Sequence, residues 1–340
     1  MRSLGPAGDR VSVSLLTGFL GSGKTTLLNR LVKHDGLGTT AVIINELGEI
    51  ALDHLLVERS TEEMIVLGSG CVCCSVRNDL LETLNGLWEK RAAGEIPRFD
   101  RVLIETTGLA DPAPILKTIL TDDEMVERYW LDSVVTTVDA ANAATTLDRQ
   151  FESIKQIAIA DRLLLTKTDL VGDTTALVTR LRALNPVAPL IETAHGEVEP
   201  AALFDAALFD RETGRAEVDC WLGDDAFEDE HHTHEQNPHD DAISAFCLTW
   251  DEPLSLAAFE RWMTELAHIE GPDLLRVKGI VNLAELDQPT VVHWVQHTMH
   301  PPAVLDGWPT SDRRTRMVFV TRGIDNSEIA QMLDRALDAG

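Results

Sequence analysis

The stretch "GFLGSGKTTL", residues 18–27, has the residue types and spacing of a phosphate cradle. Gly18, four intervening residues, then Gly23, Lys24 and Thr25 match G-x-x-x-x-G-K-[ST], after an apolar run and before a helix-forming one. In such a loop the glycines let backbone N–H groups turn inward around phosphates, and Gly21, Ser22 and Thr26 complete the expected contact set. Lys24, expected as a solvent-facing loop lysine, brings a point charge to the β and γ groups, and the Thr25 hydroxyl is the expected ligand of Mg²⁺. A chance glycine-rich turn is the alternative.

Two further stretches fit around a nucleotide. "RVLIETTG", residues 101–108, is a buried-type strand ending in Glu105, a carboxylate expected to face Mg²⁺ and its waters. Gly108, three residues on, lets a backbone N–H approach the γ-phosphate. "TKTD", residues 166–169, follows the apolar "RLLL" where nucleoside-discriminating loops of GTPases carry N-K-x-D. Asp169 is placed to accept from the ring N–H and exocyclic amine of guanine, a donor pair adenine lacks, while the Lys167 stem covers the base face. Thr166 in place of Asn removes one expected contact. A polar loop after a strand is the other reading.

The third chemistry is that of a soft metal. In "GCVCCSV", Cys71, Cys73 and Cys74 lie within four residues, and Gly68 and Gly70 allow the tight turn that would make three thiolates converge. Three thiolates suit zinc or a similar borderline ion and leave a fourth position to water, a carboxylate or an incoming group, which describes an open, exchangeable site. Buried or redox cysteines are the alternative. Between the two motifs runs "NELGEIALD", residues 45–53, from which Glu46, Glu49 or Asp53 is expected to meet Mg²⁺ or the thiol-bound metal; a solvated acidic loop is the bland option.

These motifs need a scaffold, and the first two hundred residues supply one by alternating β-rich runs with helical stretches. That pattern predicts an α/β domain with a parallel sheet flanked by helices. Strands are expected at 11–16, 40–45, 64–67, 101–105, 133–138, 162–166 and 189–192, and helices at 24–33, 76–90, 147–160, 174–184 and 200–209. The organisation expected is a nucleotide-binding domain over 1–210, an acidic linker over 211–241 and a smaller α+β domain over 242–340. The latter reads as the strand "AISAFCLTW", a helix, three further strands and a closing helix. No internal repeat is visible.

The linker is distinctive: residues 219–241 hold nine carboxylates, no Lys or Arg, and His231, His232, His234 and His239. So few apolar residues cannot offset the entropy of ordering, and neutral imidazoles among carboxylates suit auxiliary metal collection or buffering. A merely solvated linker is the alternative. His195, His268, His293, His297 and His300 are expected as hydrogen-bonded structural histidines.

Composition excludes some classes. With 29 basic and 56 acidic residues the formal charge is −27, which argues against a nucleic-acid partner. No apolar run approaches the roughly 18 residues of a membrane span, and the first ten residues lack a secretory apolar core, so no membrane role is expected and the cytoplasm is the expected location. Five cysteines, three of them clustered, suit metal or redox chemistry in a reducing compartment better than a disulfide framework.

Taken in order, "GFLGSGKTTLLN", "NELGE", "GCVCC", "RVLIETTGLADP", "VVTTVDA", "QIAIADRLLLTKTDL" and "RVKG" resemble the CobW-type metallochaperone GTPases, relatives of the urease and hydrogenase nickel-insertion GTPases. The resemblance spans nearly the whole chain and departs from the family pattern at "TKTD" and at Ala51. It implies a domain that binds and hydrolyses Mg-GTP, holds Zn²⁺ or Co²⁺ at Cys71, Cys73 and Cys74, and passes the metal to a client metalloprotein. A homo-oligomer is compatible with it. A metal-sensing regulator with little turnover and a P-loop phosphotransferase with structural cysteines are the competing functions.

Overall fold

The structure, a computed structural model, describes residues 10–45, 65–68, 76–204, 243–268, 273–296, 298–299, 302–305, 307–308 and 311–338. Residues 46–53, the cysteines at 71, 73 and 74, and the histidine-bearing linker lie outside them. The chain divides into two units, one built on a seven-stranded sheet and one on a six-stranded sheet.

Through residue 204 the elements are β1 (Val11–Gly18), α1 (Lys24–Leu31), β2 (Thr40–Asn45), β3 (Ile65–Gly68), α2 (Val76–Ala93), β4 (Arg101–Thr106), α3 (Ala113–Thr121), α4 (Asp123–Arg128), β5 (Tyr129–Asp139), α5 (Ala143–Arg149), α6 (Phe151–Ala158), β6 (Arg162–Thr166), α7 (Thr175–Leu184), β7 (Leu190–Glu192) and α8 (Pro200–Leu203). The sheet order is β3-β2-β4-β1-β5-β6-β7, and every pairing is parallel. β1 is central and buried along its whole length, which is why its sequence reads as a near-continuous apolar run instead of alternating. Its polar residues are satisfied inside: Ser12 Oγ donates to the Asp100 carbonyl at 3.1 Å and Ser14 Oγ to Asp132 at 3.0 Å.

Several elements differ from expectation for identifiable reasons. β5 starts at Tyr129, four residues before the expected strand, because Asp132 is buried with Ser14 and Arg101 as partners and so is tolerated inside the sheet. The single helix expected over 147–160 is two, α5 and α6, separated by Gln150 in an extended conformation (φ −127°, ψ 104°). α3 was hidden by Pro112 and Pro114, which lie at its cap and first turn, where no intrahelical N–H is needed. β3 extends one residue beyond the expected end at 67, to Gly68, while residue 64 lies outside the described residues.

The second unit contains β8 (Ile243–Trp250), α9 (Leu256–His268), β9 (Leu274–Val281), β10 (Thr290–Val295), β11 (Thr298–Met299), β12 (Ala303–Val304), β13 (Thr315–Arg322) and α10 (Asn326–Asp338). Its antiparallel sheet has the order β11-β10-β9-β13-β8, with β12 on β10. Trp262 and Leu266 of α9 and Ile329 and Leu333 of α10 bury against Val277, Met317 and Phe319. Among the described residues no helix is long and apolar enough to cross a membrane.

Candidate functional site

In a parallel sheet of this kind, ligands bind beyond the C-terminal strand ends. Here the loops leaving β1, β4, β6 and β7 carry the candidate residues. After β1 the chain turns through Gly18 (φ 140°), Gly21 (φ 73°) and Gly23 (φ 96°), backbone conformations that side chains rarely adopt. A Cβ on Gly18 would lie 2.4 Å from the Thr137 carbonyl oxygen, so the loop begins where only glycine fits. Gly23 then caps α1 in the left-handed conformation, directing the helix N-terminus at the loop interior. Ser22 Oγ and Thr137 Oγ1 share a hydrogen bond of 2.7 Å that ties the loop to β5. Thr26 is exposed at the start of α1.

Lys24 is not the solvent-facing lysine expected: it is 7% exposed, and its ammonium donates to the carbonyls of Gly18 (2.9 Å) and Phe19 (3.1 Å). The loop wraps its own cation, which centres the charge in the cradle.

The Thr25 hydroxyl donates to Oε1 of Glu105 at 3.0 Å, and Glu105 is buried at the end of β4. A hydroxyl and a carboxylate side by side at the mouth of a phosphate loop are hard oxygen donors of the kind Mg²⁺ takes, so these residues fit that ion. Three residues on, Gly108 lies against the phosphate loop, where a Cβ would come within 2.6 Å of the Leu20 nitrogen. The structure therefore brings Lys24, Thr25, Glu105 and Gly108 to one place. Behind Gly108, the Gln156 amide of α6 donates to the carbonyls of Gly108 (3.2 Å) and Ala110 (3.0 Å).

At the other end, Thr166 does not simply lack a contact, as its departure from Asn suggested. Its hydroxyl lies 2.7 Å from the Ser22 carbonyl and 3.1 Å from that of Val138, joining β6 to the phosphate loop. Lys167 takes the left-handed conformation (φ 57°), and its ammonium pairs with Asp139 at 2.6 Å. Burial alone would push the Asp139 carboxyl up. Hydrogen bonds from Lys167, Asn142 and the Ala141 N–H outweigh it and hold the group below the usual carboxylate range.

A histidine approaches Asp169. His195, expected to be a hydrogen-bonded structural histidine, is exposed on the loop after β7, with Nε2 4.0 Å from Asp169 Oδ2. His195 and Gly196 both have positive φ (56° and 76°), which gives this loop its tight turn. The signal for Asp139 was available: it ends the apolar strand "SVVTTVD" as Glu105 ends "RVLIE". No comparable signal marked His195. His268 does behave as expected, with Nδ1 2.6 Å from the Thr264 carbonyl.

The cysteines, Glu46 and the linker histidines are outside the described residues, and among the described residues no cluster of three or more His, Cys, Asp or Glu is disposed to hold a metal. The strand leading to the cysteines is described. Gly68 of β3 pairs with Ile44 of β2, Ile44 with Glu105 of β4, and Glu105 with Leu16 of β1. Gly68 and Glu105 are thus two strands apart in one row, about 10 Å at the usual strand spacing, and Cys71 follows Gly68 by three residues.

Residues 12–192 match the nucleotide-binding domain of the CobW/HypB/UreG family, and residues 243–337 match the C-terminal domain of the cobalamin synthesis protein CobW. The zinc chaperone YjiA of Escherichia coli is 34% identical over 271 residues, covering 80% of this chain and 81% of that protein. Zinc-regulated GTPase metalloprotein activator 1 of Schizosaccharomyces pombe is 30% identical over 305 residues, covering 81% and 72% of the two chains. The crystal structure of Zn(II)-bound YjiA GTPase from E. coli superposes with a TM-score of 0.73 at 28% identity, covering 96% of this chain and 99% of that one.

Proposed function

Because the chain belongs to the CobW/HypB/UreG family of nucleotide-binding proteins, we propose that it is a GTP-hydrolysing metallochaperone that takes zinc or cobalt as cargo at Cys71, Cys73 and Cys74 and delivers it to a client metalloprotein. The relatives named as zinc chaperone and as zinc-regulated GTPase support both halves of this reading.

Water attacks the γ-phosphorus of GTP and the bond to the β–γ bridging oxygen breaks, leaving GDP and phosphate. This chain's part is to position and to stabilise charge. Lys24, already centred by two loop carbonyls, meets the β and γ groups, and the Gly108 backbone reaches the γ-phosphate. Thr25 and Glu105 would hold Mg²⁺, which supplies positive charge to the β and γ oxygens when bound. Asp169, beside Lys167, accepts from the guanine edge.

The observation that carries the coupling of nucleotide to cargo is the row Gly68–Ile44–Glu105. Gly68, the last described residue before the cysteines, is level with the proposed Mg²⁺ carboxylate, and Asn45, the last before the segment 46–53 with Glu46 at its start, lies one strand closer. A γ-phosphate that draws that segment in is thereby able to alter the thiolate site, so that tight holding and release alternate with hydrolysis. His231, His232, His234 and His239 act as an auxiliary, weaker metal store.

The test is a single-turnover reaction of the zinc-loaded protein with GTP, in which phosphate release and transfer of zinc to a chelating dye are followed together. Zinc should appear with the phosphate burst, and Cys73→Ser should abolish the tight zinc while preserving hydrolysis. Zinc transfer indifferent to GTP would contradict the proposal.

A further inference from the structure

We infer that Gln156 is a positioning residue for GTP hydrolysis: it fixes the peptide plane between Gly108 and Leu109, and so sets how the loop after β4 meets the γ-phosphate. The inference rests on the reading above, that this loop is the one the γ-phosphate contacts.

Gln156 sits on the buried side of α6 with Ser153, Ile154 and Ile157 and is 1% exposed. A buried amide is unfavourable unless its groups are bonded, and a leucine or methionine would fill such a helix position without that penalty. Both Nε2 hydrogens are used on a single loop, on the carbonyls of Gly108 at 3.2 Å and Ala110 at 3.0 Å. Two acceptors at one nitrogen settle which end of the amide is which. Its Oε1 is buried and meets no donor among the described residues, so the side chain is spent on holding those two carbonyls.

The amide has a rigid base. The Gln156 backbone carbonyl accepts from Thr136 Oγ1 of β5 at 2.7 Å, anchoring α6 to the sheet. The adjacent Lys155 ammonium bonds Asp111 at 2.9 Å, at the far end of the same loop. On its other side Gly108 abuts the Leu20 backbone with no room for a Cβ. The loop is therefore set between the phosphate loop and α6. Because a trans peptide holds its carbonyl and N–H on opposite edges, turning the Gly108 carbonyl toward α6 turns the Leu109 N–H away from it. Leu109 itself is 49% exposed, so its side chain is only half held by its surroundings.

The experiment uses the full chain with Gln156→Met, which keeps volume and apolar packing, and Gln156→Glu, which keeps shape but replaces the donor by an acceptor. It compares kcat and KM for Mg-GTP, affinity for GDP and thermal midpoint. Both variants should lose at least tenfold in kcat, with KM and GDP affinity within twofold of wild type. A wild-type kcat in Gln156→Met, or a loss that tracks equal losses of GDP affinity and thermal midpoint, would overturn the inference. Gly108→Ala is measured in parallel. If it is impaired while the Gln156 variants are not, this inference fails and the loop reading survives; if Gly108→Ala turns over at the wild-type rate, the loop reading fails and takes this inference with it.

Discussion

The hydroxyl of Thr166, at the end of β6, lies 2.7 Å from the carbonyl of Ser22, so the strand that leads to Lys167 and Asp169, the proposed base-reading residues, is bonded to the proposed phosphate loop. A side chain that departs from the usual asparagine thus works on the phosphate side of the site. Thr166→Val removes the bond with little change of volume, and a net hydrogen bond is worth about 0.5–1.5 kcal/mol. Affinities for GTP and GDP should fall together, by roughly 3- to 10-fold, with the preference for GTP over ATP unchanged in isothermal titration. A selective loss of guanine preference would instead make Thr166 a base contact.

The Lys24 ammonium donates to two loop carbonyls and, in the proposed function, also meets the γ-phosphate, which gives it two roles. Lys24→Met should lower turnover by about 100-fold or more, as expected when a charge aimed at the transferring group is removed. It should also destabilise the unliganded fold by about 1–3 kcal/mol, since the Gly18 and Phe19 carbonyls lose their donor. Differential scanning calorimetry reads the second effect, and an unchanged midpoint would show that the carbonyl contacts do not hold the loop.

Asp139 predicts a pH dependence of definite sign. Its carboxyl is held below the usual range in the folded chain, chiefly by Lys167, against the opposing effect of burial. The stabilisation is therefore present above the ordinary carboxylate pKa and is lost as pH falls through and below that range. Denaturant melts from pH 7 down to pH 3 should show a shallower acid decline for Asp139→Asn than for wild type. Matching acid limbs would exclude the Asp139–Lys167 pair as a source of the decline.

Much of the nucleotide site was legible because its chemistry is local. Gly18 to Thr25 is one continuous turn, Glu105 lies at the end of an apolar strand and Asp169 follows another by three residues, so strand direction alone places them at one edge of a parallel sheet. What escaped was long-range pairing. The strand expected from 133 left out Asp132, whose partners Arg101 and Ser14 come to it from other strands. Gln156 read as one polar residue in a helix, since the loop carbonyls it holds lie 46 and 48 residues away in sequence. His195 meets Asp169 only because β6 and β7 are neighbours.

The linker histidines predict a separable effect. Imidazoles in a chain rich in carboxylates and poor in apolar residues lose entropy on chelation, whereas thiolates in a short turn are partly preorganised. Deleting residues 228–241 should lower the total zinc stoichiometry and leave the tightest zinc and GTP affinities unchanged in equilibrium dialysis. Loss of the tightest site would place primary ligands among His231, His232, His234 and His239.

The central claim is that Mg-GTP and the cysteine-bound metal bind cooperatively across the row Gly68–Ile44–Glu105. Coupling is reciprocal and typically about 1–3 kcal/mol, or roughly 5- to 150-fold in affinity. The direct measurement is a competitive chelator titration of Zn²⁺ against the full chain with a non-hydrolysable GTP analogue, with GDP, and with no nucleotide, repeated on Cys73→Ser and Cys74→Ser. The analogue should shift zinc affinity by at least about fivefold relative to GDP, and the serine variants should erase the shift. Identical zinc affinities in the three nucleotide states would contradict the account and leave the phosphate loop and the cysteines as neighbours without a shared function.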